Sequence, residues 1–86
     1  MRLTLLTRSY CHLCDELADA LVPLVGATPL DVIDVDAPEH AGLDAAFGDA
    51  VPILFAGAPA TANEICRYRL DPARLAAALS AASAIR

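Results

Sequence analysis

Segments of this chain with a strand-like pattern of apolar and polar residues alternate with segments that have a helix-like pattern. The run from Arg2 to Thr7 is short and mostly apolar, which is typical of a central strand buried on both faces. From Leu13 to Val25 the spacing becomes helical, with a leucine stripe at Leu13, Leu17, Leu21 and Leu24. Pro23 should disturb the last turn and Gly26 is a natural stop, so we expect one helix that ends between residues 22 and 26.

The middle of the chain predicts a second strand and a short helix. Leu30 to Val35 is strand-like and follows a turn-like segment. Pro38 to Phe47 begins with proline and is followed by Gly48, and both residues are typical of helix boundaries. Leu43 and Phe47 would share the buried face of this helix.

The last third of the chain predicts two antiparallel strands and a final helix. Val51 to Phe55 is the third strand, and it has Pro52 near its start, where a strand tolerates proline. Asn63 to Leu70 is the fourth strand, whose alternation places one set of residues on a common face: Glu64, Cys66, Tyr68 and Leu70. Asp71 and Pro72 are a favourable N-cap and first helical residue. The inward stripe of this helix would be Leu75, Leu79 and Ala82.

This order of elements, β-α-β-α-β-β-α, predicts an α/β fold with a four-stranded mixed sheet and three helices. The first β-α-β unit should cross over right-handed into a parallel pair, and the last two strands should form a hairpin. The 86 residues suffice for a single domain, which we assign to residues 1–86. Hydrophobic residues make up 57% of the chain and tryptophan is absent, so we expect a core of Leu, Val, Ile and Ala.

Charge and segment composition exclude several classes of partner. The formal net charge is −5, which argues against nucleic acid because phosphate binding needs a clustered basic surface. We recognise no secretory signal, and the apolar stretch from Leu75 to Ile85 is too short to span a bilayer. We therefore expect a cytoplasmic protein with no membrane partner. In that compartment three cysteines indicate redox chemistry or metal binding rather than a structural disulfide framework.

The motif Cys11-His12-Leu13-Cys14 carries the strongest chemical signal in the sequence. It joins the first strand to the first helix, and a C-x-x-C beside a β-α-β pattern is typical of a thiol–disulfide redox site. Cys11 should lie at the N-cap, where the backbone N–H groups of Leu13 and Cys14 stabilise its thiolate. Cys14, one turn further on, should be less exposed and have a higher pKa. Cys11 would then be the nucleophile and Cys14 the resolving thiol.

Three residues around the motif are candidates for contacts with a bound substrate. His12 and Arg8 could favour the Cys11 thiolate through their charge, or they could simply be solvated residues. Tyr10 would shield the edge of the dithiol. Cys66 is interpreted as a small buried hydrophobic residue, with a regulatory or second resolving thiol as the alternative.

The element order, the position of Cys11 and Cys14, and the Val51-Pro52 pair together resemble the thioredoxin superfamily. The chain is most similar to small bacterial glutaredoxin-like proteins that carry Cys-His-Leu-Cys-Asp, as at residues 11–15. This resemblance implies a glutaredoxin-like fold over essentially the whole chain. It also implies that Pro52 follows a cis peptide bond beside the sulfurs and that the Val51 backbone pairs with bound thiol substrates.

Two departures from the glutaredoxin pattern concern glutathione. Glutaredoxins that use glutathione usually carry Gly-Gly and an acidic residue before the last helix, where this chain has Tyr68-Arg69-Leu70-Asp71. His12-Leu13 also replaces the usual Pro-Tyr between the cysteines. We therefore expect no bound cofactor, and glutathione is only a weak candidate as co-substrate.

Three classes of function stay open at this point. The first is a thiol–disulfide oxidoreductase or dithiol electron carrier, acting on a protein or small-molecule disulfide and reduced by a thioredoxin-type dithiol or by glutathione. The second is a metal or iron–sulfur module built on Cys11 and Cys14 with His12 or Cys66. Zinc prefers four ligands, usually from two paired motifs, so we assign no metal ligands from this single pair. The third is a binding protein that keeps the fold without the chemistry.

Overall fold

The computed structural model describes the backbone of residues 1–84 and the side chains of residues 1–81. Its strands are β1 (Leu3–Thr7), β2 (Leu30–Asp34), β3 (Ile53–Ala56) and β4 (Glu64–Arg67). Its α-helices are α1 (His12–Val25), α2 (Ala41–Phe47) and α3 (Pro72–Ala84). Short 3-10 turns cover Pro38–His40, Gly48–Ala50 and Thr61–Asn63. The predicted order of elements is confirmed.

The strands form one sheet in the order β2-β1-β3-β4. β1 pairs in parallel with β2, so that Leu3 lies opposite Leu30, and it pairs antiparallel with β3, so that Leu6 lies opposite Ile53. β3 and β4 are antiparallel, as expected for the hairpin. Because β1 and β3 run in opposite directions, the end of β1 and the start of β3 meet at the same edge of the sheet.

The two faces of the sheet are covered by different helices. On one face, a cluster of buried side chains joins the sheet to α1 and α3 through residues such as Leu5, Leu17 and Leu75. On the other face, Leu43 and Phe47 of α2 pack against the second cluster: Leu6, Val35, Ile53 and Phe55. The rings of Phe47 and Phe55 meet edge to face with their centroids 5.4 Å apart. This confirms the predicted buried face of α2.

The predicted leucine stripe of α1 is correct only in its centre. Leu17 and Leu21 are buried, whereas Leu13 and Leu24 are 36% and 48% exposed. Leu13 lies in the first turn, and in the last turn Val25 rather than Leu24 packs against the core. The helix continues past Pro23 and ends at Val25, within the predicted range. Leu13 and Leu24 lie outside the face of α1 that packs on the sheet, so helical spacing alone overestimated the buried stripe.

The fourth strand is shorter and less regular than its alternation predicted. It ends at Arg67, and its register against β3 shifts between Leu54 and Phe55, so that Leu54 pairs with Cys66 and Phe55 with Glu64. This bulge lets both Ile65 and Cys66 face the core, although strict alternation places them on opposite faces. The predicted common face of Glu64, Cys66, Tyr68 and Leu70 is therefore wrong.

Boundaries elsewhere differ by a few residues from the sequence expectation. The predicted helix from Pro38 to Phe47 is a 3-10 turn followed by α2. β2 ends at Asp34, although Val35 stays buried and its N–H donates to the carbonyl oxygen of Thr7.

The last helix begins as the sequence predicts. A side-chain oxygen of Asp71 accepts a hydrogen bond from the backbone N–H of Arg74 at 3.1 Å, which satisfies one free N–H of the first turn. Leu75 and Leu79 face the core, whereas the side chain of Ala82 lies outside the described residues. Within the described part of the chain, every helix is too short or too polar to cross a membrane.

Candidate functional site

The candidate site lies at the edge of the sheet where β1 ends and β3 begins. Residues Arg8, Ser9 and Tyr10 connect β1 to the first residue of the motif, Cys11. Val51 and Pro52 come directly before β3 at the same edge. The fold therefore brings together two short segments that are about forty residues apart in the sequence.

Cys11 is the N-cap of α1, as predicted. Its backbone is extended, with φ −116° and ψ 106°, and its Sγ accepts a hydrogen bond from the N–H of Cys14 at 3.2 Å. The carbonyl oxygen of Cys11 accepts from the N–H of Asp15 at 3.1 Å and so begins the helix. Cys11 is half-buried and therefore more exposed than Cys14, which is buried. A sulfur in this position receives both an N–H hydrogen bond and the positive end of the helix dipole.

Cys14 differs from Cys11 in its surroundings. It is only 2% exposed, and burial raises its pKa from an ordinary 9.0 to about 11. The hydrogen bond with Cys11 and the negative charges of Cys11 and Asp15 also raise this pKa, whereas the backbone N–H of Arg8 lowers it. The prediction that Cys14 is buried and has a raised pKa is confirmed. At neutral pH Cys14 is therefore a protonated thiol.

Pro52 follows a cis peptide bond, which confirms the expectation drawn from the resemblance. Pro52 is buried and Val51 is half-buried. The carbonyl oxygen of Pro52 accepts a hydrogen bond from the N–H of Tyr68 at 2.8 Å. This contact brings the segment after β4 to the same edge of the sheet as the dithiol.

Tyr10 and His12 are both exposed beside Cys11. Tyr10 has a left-handed backbone, with φ 57°, and its side chain is fully exposed. Tyr68 is a second exposed tyrosine with a left-handed backbone, at φ 67°. A non-glycine residue in this region is uncommon and occurs often at functional sites.

Arg8 has partners that sequence reasoning did not find. Its Nη2 lies 2.6 Å from Oδ1 of Asp44 and 3.3 Å from Oδ1 of Asp36. Its Nε is buried without a hydrogen-bond partner among the described residues. Asp36 and Asp44 are 28 and 36 positions further along the chain, and no local pattern links them to Arg8. The charge of Arg8 is thus shared with two carboxylates.

Cys66 lies in β4 opposite Leu54 and is 6% exposed. Burial raises the pKa of this thiol, and Cys66 belongs to the apolar cluster beneath α1 and α3. The interpretation as a small buried hydrophobic residue is confirmed. Among residues 1–84, no group of three or more His, Cys, Asp or Glu side chains is arranged to hold a metal ion.

A C-x-x-C motif at the start of the first helix and a cis-proline before β3, in a sheet of order β2-β1-β3-β4, define the chain as thioredoxin-like in fold. Comparison with protein families makes this more specific. The chain belongs to the glutaredoxin-like domain family (DUF836), whose model matches residues 2–80.

Two solved structures are similar to this chain. One is a structural genomics target protein, XcR50 from X. campestris, with 33% sequence identity, a TM-score of 0.66, and coverage of 92% of this chain and 96% of that protein. The other is the protein Ne2328 from Nitrosomonas europaea, with 35% identity, a TM-score of 0.67, and coverage of 88% and 87%. A search of curated proteins found no match.

Proposed function

We propose that this protein is a thiol–disulfide oxidoreductase that uses Cys11 as nucleophile and Cys14 as resolving thiol. The observation that carries the proposal is the asymmetry of the pair. Cys11 is half-buried and its sulfur accepts the N–H of Cys14, whereas Cys14 is 2% exposed and its pKa is raised to about 11. A reagent from outside therefore meets Cys11 first.

The reaction with a substrate disulfide proceeds in two exchange steps. The Cys11 thiolate attacks one sulfur of the substrate, its S–S bond breaks, and the first substrate thiolate leaves and takes up a proton. Cys14 then loses its proton and attacks Sγ of Cys11. This forms the Cys11–Cys14 disulfide and releases the second substrate thiolate, which is also protonated. The protein dithiol loses two electrons and two protons, and the substrate disulfide gains them.

The first step prepares Cys14 for the second. Both the hydrogen bond with Cys11 and the negative charge of Cys11 raise the pKa of Cys14 in the reduced protein. Once Cys11 is part of a mixed disulfide, its sulfur carries no charge and is a weaker acceptor. The pKa of Cys14 then falls, and more of it is present as the attacking thiolate.

The surroundings of Cys11 suggest how a disulfide substrate is held. Tyr10 and His12, the neighbours of Cys11 in the chain, are exposed, and Val51 beside Pro52 is half-buried at the same edge of the sheet. We assign substrate contacts to these residues and to the loop that starts at Arg8. The substrates would be cytoplasmic proteins or small molecules that carry a disulfide.

The segment after β4 favours a dithiol protein over glutathione as reductant. In the region where glutathione-using glutaredoxins carry two glycines and an acidic residue, the chain has Tyr68-Arg69-Leu70-Asp71. Tyr68 is 44% exposed, and its backbone N–H donates to the carbonyl oxygen of Pro52. A tyrosine side chain occupies space that two glycines would leave open for a tripeptide. A thioredoxin-type dithiol needs access only to the exposed sulfur.

The direct test is to trap the cysteines after the reduced protein has reacted with a disulfide. In wild-type protein we expect one reversible disulfide between Cys11 and Cys14, identified by alkylation and mass spectrometry. Cys11→Ser should form no adduct with the disulfide at this site. Cys14→Ser should accumulate a mixed disulfide at Cys11, because the resolving thiol is missing.

Cys66→Ala is the matched control, since it also removes a thiol but from a cluster beneath the helices. We expect it to form the Cys11–Cys14 disulfide as the wild-type protein does. A Cys11→Ser variant that exchanges as fast as wild type would contradict the proposal. So would freshly purified protein that holds a stoichiometric metal bound by the two cysteines.

A further inference from the structure

We propose that Arg8 is a positioning residue, which ties the loop before Cys11 to α2 through Asp36 and Asp44 and so keeps Cys14 covered. We call these three residues the Arg8 clasp. The inference deepens the proposed function and rests on it, because a covered resolving thiol can be reached by the mixed disulfide at Cys11 but not by outside reagents.

The clasp is an asymmetric contact in which one nitrogen meets two carboxylates. Nη2 of Arg8 lies 2.6 Å from Asp44 in α2 and 3.3 Å from Asp36 in the connection between β2 and α2. The Arg8 side chain is 35% exposed, compared with 61% for Arg2, which pairs with Asp31 at the other end of β1. Of the two arginine–aspartate contacts at the ends of β1, the contact made by Arg8 is thus the less exposed to solvent.

The absence of a side chain at Gly48 leaves room for the contact between Arg8 and Asp44. A Cβ atom at residue 48 would overlap Oδ1 of Asp44 and would lie 3.2 Å from Nη2 of Arg8. The backbone of Gly48 has φ −55°, which any residue can adopt, so the requirement for glycine comes from this close approach alone. An alanine here would force the Asp44 carboxylate away from Arg8 while both charges stay in the protein.

Other contacts join the ends of β1 and β2 beside the same loop. The hydroxyl of Ser9 donates to Oδ2 of Asp34 at 3.2 Å, and the N–H of Val35 donates to the carbonyl oxygen of Thr7 at 2.9 Å. The Arg8 clasp extends this attachment to α2 itself. The segment from Arg8 to Tyr10 is therefore anchored on one side while it leads into Cys11 on the other.

The segment from Arg8 to Tyr10 also lies next to the sulfur of Cys14, the resolving thiol. Cys14 is 2% exposed, and the backbone N–H of Arg8 is close enough to its sulfur to influence its pKa. Burial is the largest of the causes that raise this pKa, and it outweighs the opposing effect of the Arg8 N–H. If the loop opens, Cys14 becomes more accessible and its thiolate also becomes easier to form, so both effects make it more reactive.

The test measures alkylation of Cys14 in a Cys11→Ser background, in which serine keeps an acceptor for the N–H of Cys14. Cys14 and Cys66 are then the remaining thiols. Their rates with iodoacetamide are followed separately by mass spectrometry, and the ratio of Cys14 to Cys66 is the readout. Global unfolding exposes both thiols and leaves the ratio nearly unchanged, whereas opening of the loop raises it.

Arg8→Met should raise the ratio about three- to fivefold, which corresponds to the loss of one partly enclosed ion pair. Asp44→Asn and Gly48→Ala should raise it in the same direction. Arg8→Lys should restore it, because both carboxylates contact a single nitrogen that an ammonium group can replace. Arg2→Met is the matched control and should leave the ratio as it is.

The proposed role of the Arg8 clasp would be wrong if the ratio of Cys14 to Cys66 alkylation did not change in Arg8→Met, or if it rose equally in Arg2→Met. A rise in Arg8→Met without any rise in Asp44→Asn and Gly48→Ala would also overturn it, because the link to α2 would then play no part. None of these readouts requires disulfide exchange. Failure of the proposed function would appear separately, as a wild-type protein that forms no Cys11–Cys14 disulfide.

Discussion

At the scale of single residues, two cysteines three positions apart acquire different chemistry from their surroundings. The N-terminus of α1 presents an N–H to the sulfur of Cys11, while the same helix turn carries Cys14 into the protein. Burial is the largest cause of the raised pKa of Cys14, because it penalises a charge on this sulfur. This difference has a consequence for stability as well as for reactivity.

Stability should fall with pH between 9 and 11 because of Cys14. Below pH 9 the thiol is protonated in both the folded and the unfolded chain. Between its ordinary pKa of 9.0 and the folded value of about 11, the unfolded chain loses this proton and the folded protein keeps it. Deprotonation therefore favours unfolding, by up to about 2 kcal/mol across this window.

Urea unfolding of the reduced protein at pH 8 and at pH 10.5 measures this effect, with Cys14→Ser as the comparison. The variant should lose less stability than wild type over the same interval. It should keep the smaller contribution of Cys66, whose pKa is also raised by burial. Equal losses in wild type and Cys14→Ser would show that Cys14 is not a buried, protonated thiol.

At the scale of elements, the position of the dithiol depends on how well α1 is packed on the sheet. Its contacts with the core come from its middle turns, where Leu17 and Leu21 are buried. Leu13 lies within the motif but is 36% exposed. The two leucines thus have different roles, since Leu17 packs in the core and Leu13 is exposed within the motif.

Leu17→Ala should therefore reduce the free energy of unfolding by about 2–5 kcal/mol, because it removes a buried side chain and leaves a cavity. Leu13→Ala is the matched control in the same helix, and it should cost less than about 1 kcal/mol. Denaturant titration followed by circular dichroism gives both values. Similar losses for the two variants would mean that Leu13 is buried after all.

At the scale of the whole molecule, the site depends on contacts between distant parts of the chain. Parallel pairing of β1 with β2 and antiparallel pairing of β1 with β3 bring the motif, Val51-Pro52 and Tyr68 to one edge of the sheet. In the proposed function, a reductant that reaches this edge must fit beside Tyr68. This makes the choice of reductant a property of the assembled surface rather than of the cysteines alone.

The oxidised protein should accordingly exchange faster with a thioredoxin-type dithiol protein than with glutathione. Mixing it with each reduced partner at equal thiol concentration, quenching with acid and separating the redox forms measures both rates. Tyr68→Gly should reduce the difference between the two exchange rates, because it improves access for glutathione. Tyr68→Phe is the control, since it keeps the aromatic ring and should leave the difference unchanged. Rapid equilibration of wild-type protein with glutathione alone would contradict the preference.

The sequence by itself determined the order of the elements, the N-cap position of Cys11 and the place of Pro52 at the start of a strand. These features follow from local causes: hydrophobic periodicity, capping residues, and the spacing of the two cysteines along one helical turn. The family resemblance added the cis bond before Pro52, which the structure contains.

Only the tertiary structure decided which residues surround the dithiol and how they are held. The contacts of Arg8 with Asp36 and Asp44, the bulge that buries both Ile65 and Cys66, and the approach of Tyr68 to Pro52 all join residues far apart in sequence or break a regular period. Such contacts depend on sheet register and on the packing of α2. They cannot be predicted from a local sequence pattern, because each depends on parts of the chain that meet only after folding.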